Sequence, residues 1–155
     1  MLRTPFIFFL LFFYSCTQKP LNNTEKEAIS KEVQNTLNNY YKDIALSGLM
    51  AELKYLDSSD DFMWVPPGYS AGVSYGSAAE AIRFNAQRFI SVKSALESLS
   101  VFPISNTTAL YTARITSVIT DTTGKMHTVP SIETALMIKR PTGWKLLRGQ
   151  SALIQ

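Results

Sequence analysis

The chain has 155 residues, 46% of them apolar and 17% charged, a balance that suits about one globular domain and excludes a disordered tail, a coiled coil or a fibre. Its 15 basic and 12 acidic residues leave a net charge of +3, spread along the sequence and not gathered into runs, so nothing resembles the footprint of a nucleic-acid partner. One cysteine and one histidine allow no intramolecular disulfide, would leave a metal site to rest almost wholly on carboxylates, and accompany no cofactor motif; neither metal nor cofactor is expected.

At the N-terminus, Arg3 precedes the apolar run Phe6 to Tyr14. The run is far short of the ~20 residues that span a bilayer and fits the core of a secretory signal. Residues 1–15 are therefore read as a signal peptide. Ser15-Cys16 resembles the cleavage and lipidation site of bacterial lipoproteins, with Phe13 and Tyr14 standing where that site usually has a leucine and a small residue. Cys16 would then carry the lipid, and more than one acyl chain makes such an anchor stable. Residues 16–23, polar and interrupted by Pro20, read as a tether. The tether has no acidic cluster of the kind that hints at surface display, so the expected location is the cell envelope, on the periplasmic side of the outer membrane. Contact with the membrane is expected only through Cys16.

The domain is expected over 24–155. Thr24 and Glu27 have the spacing of a capping box, and Ile29, Val33, Leu37, Tyr40, Tyr41 and Ile44 follow at helical period, predicting a helix over about 25–46 that stops at Gly48. Leu49, Met50, Leu53 and Leu56 predict a second, shorter helix. Phe62 to Val65 and Tyr69 to Tyr75, on either side of Pro66-Pro67-Gly68, read as two short strands around a turn. Ser77 and Glu80 suggest another capping box, opening a third helix to about Ser91.

Beyond Val92 the apolar period changes from near 3.6 to 2. Strands are predicted over 94–104, 109–120, 126–139 and 144–154, with turns at Asp121-Thr122-Thr123-Gly124 and Pro141-Thr142-Gly143. Pro130 inside the third of these predicts a bulge or bend, because proline cannot donate to a ladder. Helices followed by long antiparallel strands make an α+β order.

This order, the Tyr40-Tyr41 to Gly48 end of the first helix, the Ser77-Ala-Ala-Glu80 helix, and the closing pattern Ile132-Glu133-Thr134-Ala135-Leu136 through Trp144-Lys-Leu-Leu-Arg148 resemble the nuclear transport factor 2-like (NTF2-like) superfamily, nearest in style to its SnoaL-like and DUF4440 groups. The resemblance implies a cone-shaped fold with three N-terminal helices on a strongly bent, mostly antiparallel sheet. It also implies an apolar pocket inside the cone and frequent dimers packed through the sheets. Functions across the superfamily are diverse, so fold alone does not decide among them.

In the ketosteroid isomerase branch, a helix-1 tyrosine and a late-strand acid stabilise an enolate while an aspartate before a proline turn moves the proton. By resemblance Tyr41 takes the tyrosine position and Glu133 the acid position, but the base position falls on Val65, which carries no proton. His127, oriented by Glu133, is the other candidate base. From the residues themselves, Arg114, Glu133, Arg148 and Gln150 are polar groups on apolar strands, and Arg148 and Gln150 share a side with Trp144 at period 2. Either arginine paired with Glu133 would simply satisfy the sheet. Alternatively these groups, with Tyr41, Trp64, Tyr69 and Phe84, line the mouth of the cone and hold a small ligand. The expected function is an exported, lipid-anchored, non-catalytic binder of a small apolar or amphipathic molecule, with a second copy of the chain as its partner. The alternatives are an isomerase, lyase or hydrolase using Glu133 or His127 with Tyr41, and a dimeric interaction module whose cone is filled by its own side chains.

Overall fold

A computed structural model describes residues 19–154; the expected signal peptide and the expected lipidation site, Cys16, lie outside the described residues. Helix α1, Asn23–Ser47, is capped two residues earlier than the Thr24 expectation. Asn22 Oδ1 accepts from the Glu25 backbone N–H at 2.9 Å, and the Glu25 carboxylate accepts from the Asn22 N–H at 2.8 Å. Both arrangements fit the capping-box spacing, and the asparagine wins because it leaves Thr24 free to continue the helix. Ile29, Val33, Leu37, Tyr40 and Ile44 form its buried stripe, and Gly48 ends it at a φ of 82°, a region that favours glycine. A 3-10 turn follows over Leu49–Lys54.

Strand β1, Met63–Val65, is the first of five. The expected strand over 69–75 does not form; only Val73 bridges back, to Trp64. Helix α2, Tyr75–Ala86, is capped by Ser74, whose hydroxyl accepts from the Ser77 N–H, so Ser77 lies inside the helix and not at its cap. It ends five residues before the expected Ser91, because Phe89 already opens strand β2, Phe89–Ser105. Strands β3 (Thr108–Asp121), β4 (Met126–Arg140) and β5 (Gly143–Leu153) complete a sheet of order β1-β5-β4-β3-β2, antiparallel except where β1 runs parallel to β5. The architecture is α+β, helices packed on one face of a curved sheet.

Among the register shifts of the sheet, two decide the facing of residues singled out in the sequence. Leu96 pairs with Ile115 and Ser98 with Arg114, which leaves Glu97 as an extra residue in β2. Met137 pairs with Leu146 and Leu136 with Arg148, which makes Leu147 the extra residue in β5. An extra residue reverses the alternation downstream. Trp144 and Leu146 are buried, but beyond Leu147 it is Gly149 and Ser151, not Arg148 and Gln150, that continue the inner row. Pro130 makes no bulge: it pairs in register with Thr116. Its carbonyl accepts from the Ile154 N–H, so its nitrogen also points toward the end of β5, where the ladder stops and a missing donor costs little.

The core joins α1 to the inner face of the sheet. Val33, Leu37, Tyr111 and Met137 are its most completely buried large side chains, each contributing about 1.5–3 kcal/mol in removed apolar surface. Glu32 ties the helix to the last hairpin, accepting from Trp144 Nε1 at 2.8 Å and Lys139 Nζ at 2.6 Å. Among the described residues, no helix is long and apolar enough to cross a membrane.

Candidate functional site

The inner face of the sheet, α2 and the 3-10 turn enclose a cavity of about 460 Å³. Its walls are Phe62, Trp64, Val73, Ala81, Ile82, Phe89 and Val92, with Tyr69, itself 61% exposed, at the rim. Two carboxyl groups, Glu52 from the 3-10 turn and Glu133 from β4, interrupt this apolar lining. Among the described residues, no lysine, arginine or histidine does.

Three tyrosines hold the two acids. Tyr40 donates to Glu52 Oε1 at 2.9 Å. Tyr41 approaches Glu133 Oε1 at 3.5 Å, and Tyr111 donates to that same oxygen. Tyr40 and Tyr41 meet edge to face with ring centroids 4.7 Å apart, which fixes both hydroxyls. Each carboxylate is thus bonded through one oxygen only. No side-chain or backbone donor among the described residues reaches Oε2 of either glutamate, and no buried side-chain oxygen among them lacks a partner. Both Oε2 atoms are therefore accessible, as befits side chains on a cavity wall.

Burial dominates the electrostatics. It pushes the Glu133 carboxyl up to about 7, against the opposing effect of the Tyr111 and Tyr41 hydroxyls. It raises Glu52 to about 7 as well, the Tyr40 hydroxyl opposing and the charge of Glu133 adding to the rise. The tyrosines are driven far above their ordinary value by burial and by the neighbouring acids, so they remain hydrogen-bond donors throughout the physiological range. Near neutrality the site holds two acids that can each donate, accept or carry charge.

Of the residues singled out in the sequence, Trp64, Tyr69 and Glu133 line this cavity, and Tyr41 reaches it through Glu133. Tyr41 also lines a cleft of about 170 Å³ shared with Glu52 and Glu133. Phe84 does not join them: it is 58% exposed and stacks under the Arg88 guanidinium. Arg114 lies between two buried neighbours, Ala113 and Ile115, and so faces out, where its Nε donates to Glu97 at 3.0 Å. Arg148 and Gln150 follow the Leu147 bulge onto the outer face, and Arg148 donates to the Asp61 carbonyl at 2.8 Å. Neither arginine pairs with Glu133. His127 sits at the β3–β4 hairpin, 3.1 Å from Asp121; six residues along an extended strand put it ~20 Å from Glu133, so the two cannot act together. Val65 pairs with Gln150 at the sheet edge and brings no proton-carrying group.

Sequence reasoning missed Glu52, Tyr40 and Tyr111. Glu52 is an acid within an otherwise apolar stretch, Leu49 to Leu53, and Tyr111 holds an inward position in the alternation of β3; both signals were present. A more open cleft of about 500 Å³ lies near Asp57, but its cations are engaged: Arg140 by Asp57, Lys54 by Asp43, and Lys145 by the Lys54 carbonyl. Among the described residues, no cluster of three or more potential ligands could hold a metal ion.

Comparison with models of known protein families finds no match. Comparison with curated proteins finds none either. Solved structures match over most of the chain. An NTF2-like superfamily protein from Salmonella enterica superposes with a TM-score of 0.69 at 15% identity, over 83% of this chain and 93% of that one. A ketosteroid isomerase-like protein from Erwinia carotovora gives 0.62 at 19% identity, over 81% and 95%. A hexachlorocyclohexane dehydrochlorinase gives 0.68 at 9% identity, over 86% and 90%. With an open cavity, a curved mixed sheet and these neighbours, the chain has the cone fold of the NTF2-like proteins.

Proposed function

We propose that the protein is an exported, lipid-anchored binder that holds a small amphipathic molecule inside its cone. The observation that carries this reading is the pair of accessible carboxyl oxygens, on Glu52 and Glu133, set into the wall of an apolar cavity of about 460 Å³. That volume is in the range of small-molecule sites, in which a few polar groups among apolar walls orient the ligand. Trp64, Phe62 and Phe89 supply the apolar contact and the two acids grip the polar end. The cavity favours this reading over a cone filled by its own side chains.

Export and anchoring are supported by the sequence: Arg3, the apolar run from Phe6, and Cys16 after Ser15. Pairing with a second copy is supported by the outer face of the sheet, where Phe102, Leu110 and Ile132 are 66%, 37% and 44% exposed. Native mass spectrometry of the protein isolated from its host tests the ligand reading. A co-purifying small molecule, lost on denaturation, is the expected result; an unliganded mass that no extract fraction changes would overturn it.

A second reading is favoured by one observation. Glu133 titrates near neutrality while two tyrosine hydroxyls donate to it, the environment of a general acid or base. Enzymes of isomerase or lyase type would use it to move a proton on a bound carbonyl compound. Turnover by the native protein that Glu133→Gln abolishes, with ligand binding retained, would favour catalysis over binding alone.

A further inference from the structure

The cavity discriminates by charge. Its titratable lining consists of Glu52, Glu133, Tyr40 and Tyr69, with Tyr41 and Tyr111 directly behind Glu133. α2 contributes serine, alanine, isoleucine and asparagine, β2 contributes Phe89 and Val92, and β5 contributes Leu146 and Ser151. None of these elements brings a cation, so a ligand carboxylate or phosphate would face two acids with nothing to neutralise it.

The geometry points to an organic cation as the ligand: a primary or substituted ammonium set between the free carboxyl oxygens of Glu52 and Glu133, its apolar body against Trp64 and Phe62. This rests on the reading of the cone as a ligand site and adds the charge class to it. The three hydroxyl donors already satisfy one oxygen of each acid, so what the site lacks on the remaining two oxygens is donors, and an ammonium is a donor-only group. Charge-assisted hydrogen bonds in a water-poor site are the strong ones. The surrounding rings favour a cation further, since an ammonium is attracted to an aromatic face.

Binding is then linked to protons. Both acids titrate near neutrality in the empty site, largely because burial disfavours their charge. A bound cation favours the ionised form, so its arrival releases protons around pH 7 and its affinity rises from pH 5.5 to pH 8. A neutral ligand of the same shape shows little of either effect.

Three probes with a common phenyl tail separate the possibilities: 2-phenylethylamine, 2-phenylethanol and 3-phenylpropanoate, titrated calorimetrically into the protein as isolated from its host, in two buffers of different ionisation enthalpy. The amine is expected to bind at least about tenfold more tightly than the alcohol at pH 8, and the carboxylate most weakly. Proton release near pH 7 should accompany the amine alone. Glu133→Gln and Glu52→Gln should each weaken the amine roughly tenfold and the alcohol by clearly less; circular dichroism and the thermal midpoint of each variant show that it has folded. An alcohol or carboxylate that binds as tightly as the amine overturns the charge assignment and leaves the ligand cavity standing. No heat and no change in tryptophan fluorescence with any of the three overturns both.

Discussion

Trp64 fills the space that a side chain at position 149 would need. A Cβ built on Gly149 would lie 2.5 Å from Trp64 Cζ3, 2.5 Å from Ala135 Cβ and 2.7 Å from the Thr134 carbonyl oxygen. Trp64 pairs with Gly149 in the parallel β1–β5 register, so the glycine lets the indole lie against the sheet and form part of the cavity wall. Gly149→Ala must move either the indole or the backbone of β4. The expected loss is about 1–3 kcal/mol of stability, as for other overpacked sites, with a lower Tm and a shifted tryptophan emission. An unchanged Tm would show that the wall is softer than this packing implies.

The raised acids make the empty protein less stable as pH rises. The folded Glu133 binds its proton up to about 7, while the unfolded chain releases it near the ordinary 4.5. Between these values the folded state holds more protons, so stability falls as pH rises from about 4.5 to about 7 and then levels off. Glu133→Gln removes the ionisation while keeping an oxygen for the tyrosines. At pH 8 it should therefore stabilise the ligand-free protein, by about 1–3 kcal/mol, and at pH 4.5 it should change little. Urea denaturation at both pH values measures this; equal effects at both would show that Glu133 is solvated by water in the cavity.

The tyrosine hydroxyls oppose that burial, and they do so unequally. Tyr111 lowers the Glu133 carboxyl more than Tyr41 does, in keeping with its closer approach. Tyr111→Phe should thus raise the Glu133 titration midpoint further than Tyr41→Phe, and both should raise it. Carbon-13 NMR of the glutamate side-chain carboxyls, followed against pH, reads the two shifts directly. A fall in either midpoint would mean that the hydroxyl accepts from a protonated acid and does not donate to it.

The outer face of the sheet makes its own prediction about assembly. Leu110 and Phe102 are cross-strand partners in the β2–β3 register, and their side chains share that face. If two copies pair through it, Leu110→Lys places like charges against each other and yields a monomer in light scattering, without touching the cone. A wild-type protein that is already monomeric at micromolar concentration would remove the pairing proposal.

The sequence carried most of the element order and part of the site. The stripe from Ile29 to Ile44 and the turns at 121–124 and 141–143 were legible because period and turn chemistry are local properties. The facing of Arg148 and Gln150 was not, since one unpaired residue, Leu147, reverses the alternation, and a bulge leaves no local mark in an otherwise apolar strand. Tyr41 and Glu133 were suggested by resemblance, and Glu133 also as a charge within an apolar strand. Glu52 and Tyr111 passed unnoticed because an acid in a short turn and a tyrosine in a strand are ordinary until the cavity gathers them.

Asp57 is a buried charge outside the lining of the cone, and it sets how the fold responds to acid. Arg140 donates to it twice, at 2.6 Å and 3.2 Å, and the Ser59 N–H adds a third bond at 3.1 Å. The guanidinium leads in holding the carboxyl down at about 2, below the ordinary 3.8. A lowered value reverses the sign found at Glu133: the contribution is fully present above about 3.8 and is lost as pH falls through about 2. Because the Arg140 side chain is 39% exposed, Asp57→Asn leaves a cation that water can reach. The expected cost at pH 7 is about 1–2 kcal/mol, below that of breaking a sealed pair. Arg140→Lys should lose part of the same amount, since an ammonium lacks the fork that reaches both oxygens. Denaturation series at pH 7, 4 and 2.5 should show the gap between wild type and Asp57→Asn narrowing toward the acid end. A gap that stays constant would mean that the asparagine acts through lost packing and not through lost charge.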